Sequence, residues 1–168
     1  MKKTLSITVK NEPGVLTRIS TVFSSRDFNI DSIAVGPTEQ KSVSKIILII
    51  PGDNQFIEQI TKQLNKLVQV LEIKDITTSP CVERELMLVK VSSAPSIRAE
   101  ILNIVDIFRA KIVDISDFST TIEVTGDPGK IIAILNILKP YKIMEIVRTG
   151  KISIERESGI NSEFLRNL

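Results

Sequence analysis

The sequence predicts an α+β fold made of two successive βαββαβ units, and three features predict it. Apolar and polar residues alternate with the period of a strand near the chain start, turn residues then give way to helical spacing, and the same order of elements recurs after residue 80. That order is the split βαβ, or ferredoxin-like, plan.

Leu5, Ile7 and Val9 alternate with Ser6, Thr8 and Lys10, as in a half-buried strand. Asn11-Glu12-Pro13-Gly14 breaks the strand with turn residues. Val15, Leu16, Ile19, Val22 and Phe23 then recur at helical spacing, with Thr17, Arg18, Ser20, Thr21 and Ser24 opposite. Phe28–Val35 reads as a second strand ending at Gly36-Pro37, and Val43–Ile50 as a third. The unbroken run Ile46–Ile50 implies burial on both faces at the sheet centre. Pro51-Gly52-Asp53-Asn54 opens a helix with Phe56, Ile57, Ile60, Leu64 and Leu67 on one side, and Val70–Ile76 closes the unit.

The second half repeats the order. Glu85–Val91 is a strand, Ile97, Ile101, Ile104 and Phe108 stripe a helix, and Lys111–Ser116 and Ser119–Thr125 are strands joined by a tight turn. Asp127-Pro128 starts a helix as N-cap and first-turn proline, with Ile131, Ile134, Leu135 and Leu138 inward, and Tyr141–Val147 is the last strand. Leu64-Asn65-Lys66-Leu67 echoes Leu135-Asn136-Ile137-Leu138, as expected of a duplicated architecture. The expected domains are 1–78 and 79–168, with a linker near Thr77–Pro80 and a tail or short helical extension over Ser158–Leu168.

Composition narrows the function. Twenty-two Lys and Arg against 20 Asp and Glu leave a charge of +2, all of it in residues 1–80, with residues 81–168 balanced, so neither half has the basic field that nucleic acid or an anionic membrane selects. Cys81 is the single cysteine, which excludes an internal disulfide and fits a reducing compartment. Met1-Lys2-Lys3 is followed by alternation rather than an apolar stretch, and Ile46–Ile50 is far short of a membrane span. A cytoplasmic protein is expected, or one of the plastid stroma if the gene is the organelle's own.

The residues for catalysis are missing. There is no histidine, the commonest general base and metal ligand, and one cysteine cannot build a thiolate zinc site. Gly126-Asp127-Pro128-Gly129-Lys130 lacks the glycine spacing of a phosphate loop and has Ile131 where Ser or Thr is required, so it reads as a capped helix start. RNA-binding modules of this plan stack bases on aromatic residues of the central strands. The strands Leu5–Val9 and Val43–Ile50 contain none.

What remains is the loop Asn11-Glu12-Pro13-Gly14-Val15-Leu16. It delivers a helix N-terminus, whose free N–H groups suit a carboxylate, directly after a glycine that permits close approach. Asn11 offers a donor and an acceptor, as a zwitterion requires. The same residues also serve as a plain turn in which Pro13 fixes φ. Asn29, expected to open the second strand, is likewise either a turn residue or a ligand partner. The second half has no such loop, because Ser92-Ser93-Ala94-Pro95-Ser96 lacks glycine, so the site belongs to the first half.

Three stretches together resemble one family: Asn11 through Arg18, Arg26 through Ile33, and Val82 through Lys90, supported by Gln63-Leu64-Asn65-Lys66-Leu67. The family is the small regulatory subunit of acetolactate synthase (acetohydroxyacid synthase), and the resemblance extends from about Lys2 to Arg156. It implies that the first domain is an amino-acid-sensing ACT domain and that the chain itself is not an enzyme. It implies a homodimer docked on a large catalytic subunit, with thiamine diphosphate, magnesium and FAD held by that subunit and no cofactor held by this chain. It further implies feedback by valine or a related branched-chain amino acid, bound by Asn11, Gly14, Val15 and Leu16 of one chain with Asn29 and Ile30 of the other. Position 36 is Gly where relatives often have Ala, which would loosen the pocket wall. An ACT sensor of another enzyme is the alternative, with an RNA-binding module behind it.

Overall fold

The computed structural model describes residues 2–26 and 28–157. The described residues divide into two compact units, those up to Val82 together with those from Ile152 onward, and Glu83–Lys151.

In the first unit β1 (Lys2–Lys10), α1 (Val15–Ser24), β2 (Ser32–Pro37), β3 (Val43–Pro51), α2 (Asn54–Leu64) and β4 (Val70–Asp75) follow the expected order. The sheet runs β2-β3-β1-β4, and every pairing is antiparallel. Odd-numbered residues of β1 face the helices: Leu5 lies opposite Leu48 and Ile7 opposite Ile46, and all four are buried. Ile19 and Phe23 of α1 and Ile57, Ile60 and Leu64 of α2 close the core over them. Ile46, Ile47, Leu48 and Ile50 are all buried, as the uninterrupted run demanded of a central strand. Asp53 caps α2 by accepting the Phe56 N–H at 2.8 Å.

The second unit is built on β5 (Cys81–Ser92), α3 (Arg98–Ile107), β6 (Lys111–Ile115), β7 (Ser119–Gly126), α4 (Pro128–Leu138) and β8 (Ile143–Arg148). Its strand order, β6-β7-β5-β8, repeats that of the first sheet. Met87, Val89, Val91, Ile122 and Val124 form the sheet side of its core, against Ile101, Ile104, Ile131, Ile134 and Leu138. Asp127 caps α4 through the Lys130 N–H at 2.8 Å, with Pro128 in the first turn, as the sequence predicts.

Two boundaries differ from expectation. The second strand begins at Ser32, not Phe28, because Phe28 packs its ring on Phe56 (centroids 3.8 Å apart) and Ile30 leans on the core. Asn29 therefore precedes the strand instead of opening it. A short strand, β9 (Ile152–Glu155), was not anticipated; it pairs with β5, and Arg156 N–H donates to Pro80 O at 2.8 Å. The tail expected over Ser158–Leu168 lies outside the described residues.

Candidate functional site

At the end of β1 the chain is tied down on both sides before it turns into α1. Lys10 N–H donates to Gln69 O at 2.8 Å, beside the entry to β4. Asn11 N–H donates to Ser42 O at 2.8 Å and its Nδ2 to Lys41 O at 3.1 Å, both on the β2–β3 turn. The Asn11 donor is thus engaged in fixing the loop, while its carbonyl oxygen is left on an exposed residue.

Gly14 occupies the N-cap of α1 with φ 82° and ψ −4°. This is left-handed backbone, which a Cβ penalises and glycine does not. A Cβ at Gly14 would touch nothing within 4 Å, so conformation rather than space selects the glycine. No side chain caps the helix and no acidic residue stands in its first turn. Arg18 N–H reaches Gly14 O at 3.0 Å and Val15 N–H reaches Glu12 O only at 3.5 Å, while the Leu16 and Thr17 amides have no acceptor among the described residues. The result is an exposed cluster of N–H groups at the positive end of a helix, suited to a carboxylate.

Leu16 is exposed beside these amides, whereas Val15 is buried in the core and offers a ligand only its backbone. Asn29 and Ile30 sit elsewhere. Ser32 lies opposite Ile49, which lies opposite Thr4, so the 29–30 segment is level with the start of β1. Asp31 confirms this placement by its 2.9 Å salt bridge to Lys2. From Thr4 to Lys10 at about 3.3 Å per residue, roughly 20 Å separates the two groups along the sheet. Within one protomer the structure brings Asn11, Gly14, Val15 and Leu16 together and leaves Asn29 and Ile30 at the other end.

Sequence reasoning missed the residues that hold the loop, Lys41, Ser42 and Gln69. All three act through main-chain oxygens, so no side-chain pattern announces them. Gly36, in β2, likewise has nothing within 4 Å of where a Cβ would stand.

The matching junction of the second unit is filled by its own side chains. Arg98 Nη2 donates to the carbonyl oxygens of Ser93, Ser116 and Asp117 at 3.1, 2.6 and 2.9 Å. Beneath it the buried Ser93 and Thr120 hydroxyls bond each other at 2.7 Å. Among the described residues no three His, Cys, Asp or Glu side chains gather in a way that could hold a metal, and no helix is long and apolar enough to cross a membrane.

Comparison with known proteins agrees with this architecture over almost the whole chain. Residues 5–72 match the AHAS small subunit-like ACT domain, and residues 84–157 match the family described as small subunit of acetolactate synthase. The chain is 49% identical to the acetolactate synthase small subunit of Bacillus subtilis, covering 93% of this chain and 91% of that one. It is 45% identical to a probable acetolactate synthase small subunit of Archaeoglobus fulgidus, over 93% of this chain and 98% of that one. It is 47% identical to a chloroplastic small subunit of Arabidopsis thaliana, where 97% of this chain spans 34% of a longer protein. The crystal structure of the small subunit from Thermotoga maritima superposes with a TM-score of 0.84 at 39% identity, covering 93% and 98% of the two chains.

Proposed function

The chain belongs to the acetolactate synthase small-subunit family, the non-catalytic regulatory subunit of a transferase holoenzyme, and on that premise we propose that its first unit binds valine or a related branched-chain amino acid at a seam between two copies. The observation that carries the reading is the separation of the two residue groups. Asn11, Gly14 and Leu16 stand at one end of the first sheet and Asn29 and Ile30 at the other, so one protomer cannot close a pocket from both.

A second copy resolves this. β2 is an outer strand of its sheet, as β4 is at the other side, and an unpaired edge presents N–H and C=O groups that favour another strand. Antiparallel pairing of two β2 edges reverses the direction of one sheet, so the 29–30 segment of each copy arrives at the 11–16 loop of the other. The effector carboxylate then meets the Leu16 and Thr17 amides. The Asn11 oxygen accepts from its ammonium group, and Leu16 with Ile30 flanks the aliphatic side chain. Gly36 leaves that wall one methyl group wider than an alanine would.

In this reading the large catalytic subunit carries the thiamine diphosphate, magnesium and FAD, and this chain raises or lowers its activity. A ligand shifts an equilibrium only by its differential affinity for the two states. If the large subunit favours the arrangement that valine disfavours, a coupling of about 1–3 kcal/mol gives roughly five- to 150-fold inhibition. The test is acetolactate formation by the large subunit with and without this chain, each titrated with valine, beside calorimetry of valine with this chain alone. Saturable heat and inhibition that appears only when this chain is added are expected. Absence of both would overturn the assignment of an effector.

A further inference from the structure

The face of the first sheet turned away from its helices carries a polar cluster of its own. Leu5, Ile7 and Val9 of β1 point into the core, so Ser6 and Thr8 stand on the opposite face. The register sets Lys45 of β3 beside Thr8 and Lys74 of β4 beside Ser6, one on each side of β1. Ser153 and Glu155 of β9, which belongs to the same compact unit, complete the enclosure. With Ser6, Lys45, Lys74 and Ile76 they line a cavity of about 130 Å³, room for several waters or one small ion.

The polar groups of this cavity are short of partners. Ser6 is 6% exposed, and its hydroxyl has no hydrogen-bond partner among the described residues. The Ser153 hydroxyl is buried and likewise unpartnered. Lys45 Nζ donates to Thr8 Oγ1 at 2.9 Å, which leaves further N–H groups on the ammonium, and no carboxylate of the described residues lies within salt-bridge distance of it. Lys74 Nζ stands 3.4 Å from Glu72 and 3.9 Å from Glu155, both too long for a charge-assisted hydrogen bond. Polar groups set this far into a protein are ordinarily satisfied, so a cluster of unsatisfied ones around a cavity points to something that enters it.

We propose that this cavity binds a small tetrahedral oxyanion, inorganic phosphate or sulfate in type, between the Lys45 and Lys74 ammonium groups, with the Ser6 and Ser153 hydroxyls donating to it. The four groups come from four strands. Three belong to the sheet floor and the fourth to β9, so they approach from different directions. That spread suits the four oxygens of a tetrahedral ion better than the two coplanar oxygens of a carboxylate. Two lysines against one lining carboxylate, Glu155, leave the cavity a surplus of positive charge. Ile76, 3% exposed, is an apolar part of the wall and strengthens the attraction by keeping the local dielectric low. Glu155 opposes the ion, and Lys74 exchanges its long contact with that carboxylate for the oxyanion. None of these residues is among those proposed for the effector, so loss of one site leaves the other in place.

Calorimetry and thermal unfolding of the full chain with inorganic phosphate test the site, at an ionic strength held constant with chloride so that general screening does not vary. Saturable heat and a phosphate-dependent rise in Tm are expected, with sulfate competing and acetate not. Lys45→Met and Lys74→Gln should each weaken phosphate binding at least roughly tenfold, the worth of one charge-assisted hydrogen bond. Lys74 is exposed, so its variant keeps the fold even if the half-buried Lys45 does not tolerate replacement; circular dichroism checks both. Glu155→Gln removes the opposing carboxylate and should tighten binding severalfold, a gain that mere disturbance of the fold would not produce. Neither saturable heat nor a rise in Tm with the unaltered chain would overturn the proposal and leave the cavity to water. Equal binding by the unaltered chain and Lys74→Gln, or acetate binding as tightly as phosphate, would do the same. Unchanged or weaker binding by Glu155→Gln would overturn the placement of the ion beside that carboxylate.

Discussion

Replacing Gly14 by aspartate should abolish valine feedback while leaving a folded chain that still activates the large subunit. The backbone at Gly14 is left-handed, and an L-residue there costs about 1–2 kcal/mol, with Asp and Asn among the better tolerated. No atom stands within 4 Å of the new Cβ, so no steric cost is added in the protomer. A carboxylate beside a helix N-terminus returns about 0.3–1 kcal/mol. The net loss of stability is therefore about 1 kcal/mol, a fall in Tm of roughly 4–8 °C for a unit of this size. The effect on the effector is larger. Two carboxylates about 4 Å apart repel by roughly 1 kcal/mol if fully hydrated and about 4 kcal/mol at a partly shielded surface. That corresponds to a loss of affinity of roughly five- to several-hundred-fold. Gly14→Asn carries the same backbone cost without the charge and should lose less, which separates conformation from electrostatics. Calorimetry with valine, inhibition of the reconstituted enzyme and circular dichroism would be measured on both variants. Unchanged valine sensitivity in a folded Gly14→Asp variant would refute the placement of the carboxylate at the α1 N-terminus. Joint loss of folding, activation and inhibition would show that the glycine serves the turn alone.

Light scattering at micromolar concentration should give the mass of a dimer, because β2 is an exposed edge with apolar Ile33 and Val35 beside it. The purified chain should consume no pyruvate on its own; turnover without the large subunit would sink the regulatory assignment. Arg98→Ala removes a donor shared by three carbonyl oxygens and should lower the stability of the second unit by about 1–3 kcal/mol, read from urea unfolding, with valine affinity unchanged. A fall in valine affinity in that variant would place effector binding in the wrong unit.

Elements fixed by local chemistry could be read directly from the chain. Asp127-Pro128 and Asp53 start helices because a side-chain oxygen three residues upstream of an amide needs no distant partner. The central position of β3 was legible for a different reason, since five consecutive apolar residues cannot alternate faces without burying both. The start of β2 was not legible. Phe28 and Ile30 have the composition and spacing of a strand, but the contact that withdraws Phe28 is with Phe56 on α2, and nothing near residue 28 encodes it. β9 shows the converse: Ile152 and Ile154 alternate with Ser153 and Glu155, yet the strand they pair with begins at Cys81, far earlier in the chain.

The same distinction runs through the candidate site. Gly14 was recognisable as a turn residue placed directly before a helix start, but its left-handed φ adds a demand of its own, which any other residue there meets only at a cost. Val15 belongs to the same loop and yet its side chain is spent on the core, because the first helical position that faces inward falls there. Asn29 and Ile30 are separated from the loop by the whole length of β1, a fact no spacing in the sequence contains, since it follows from the sheet's strand order.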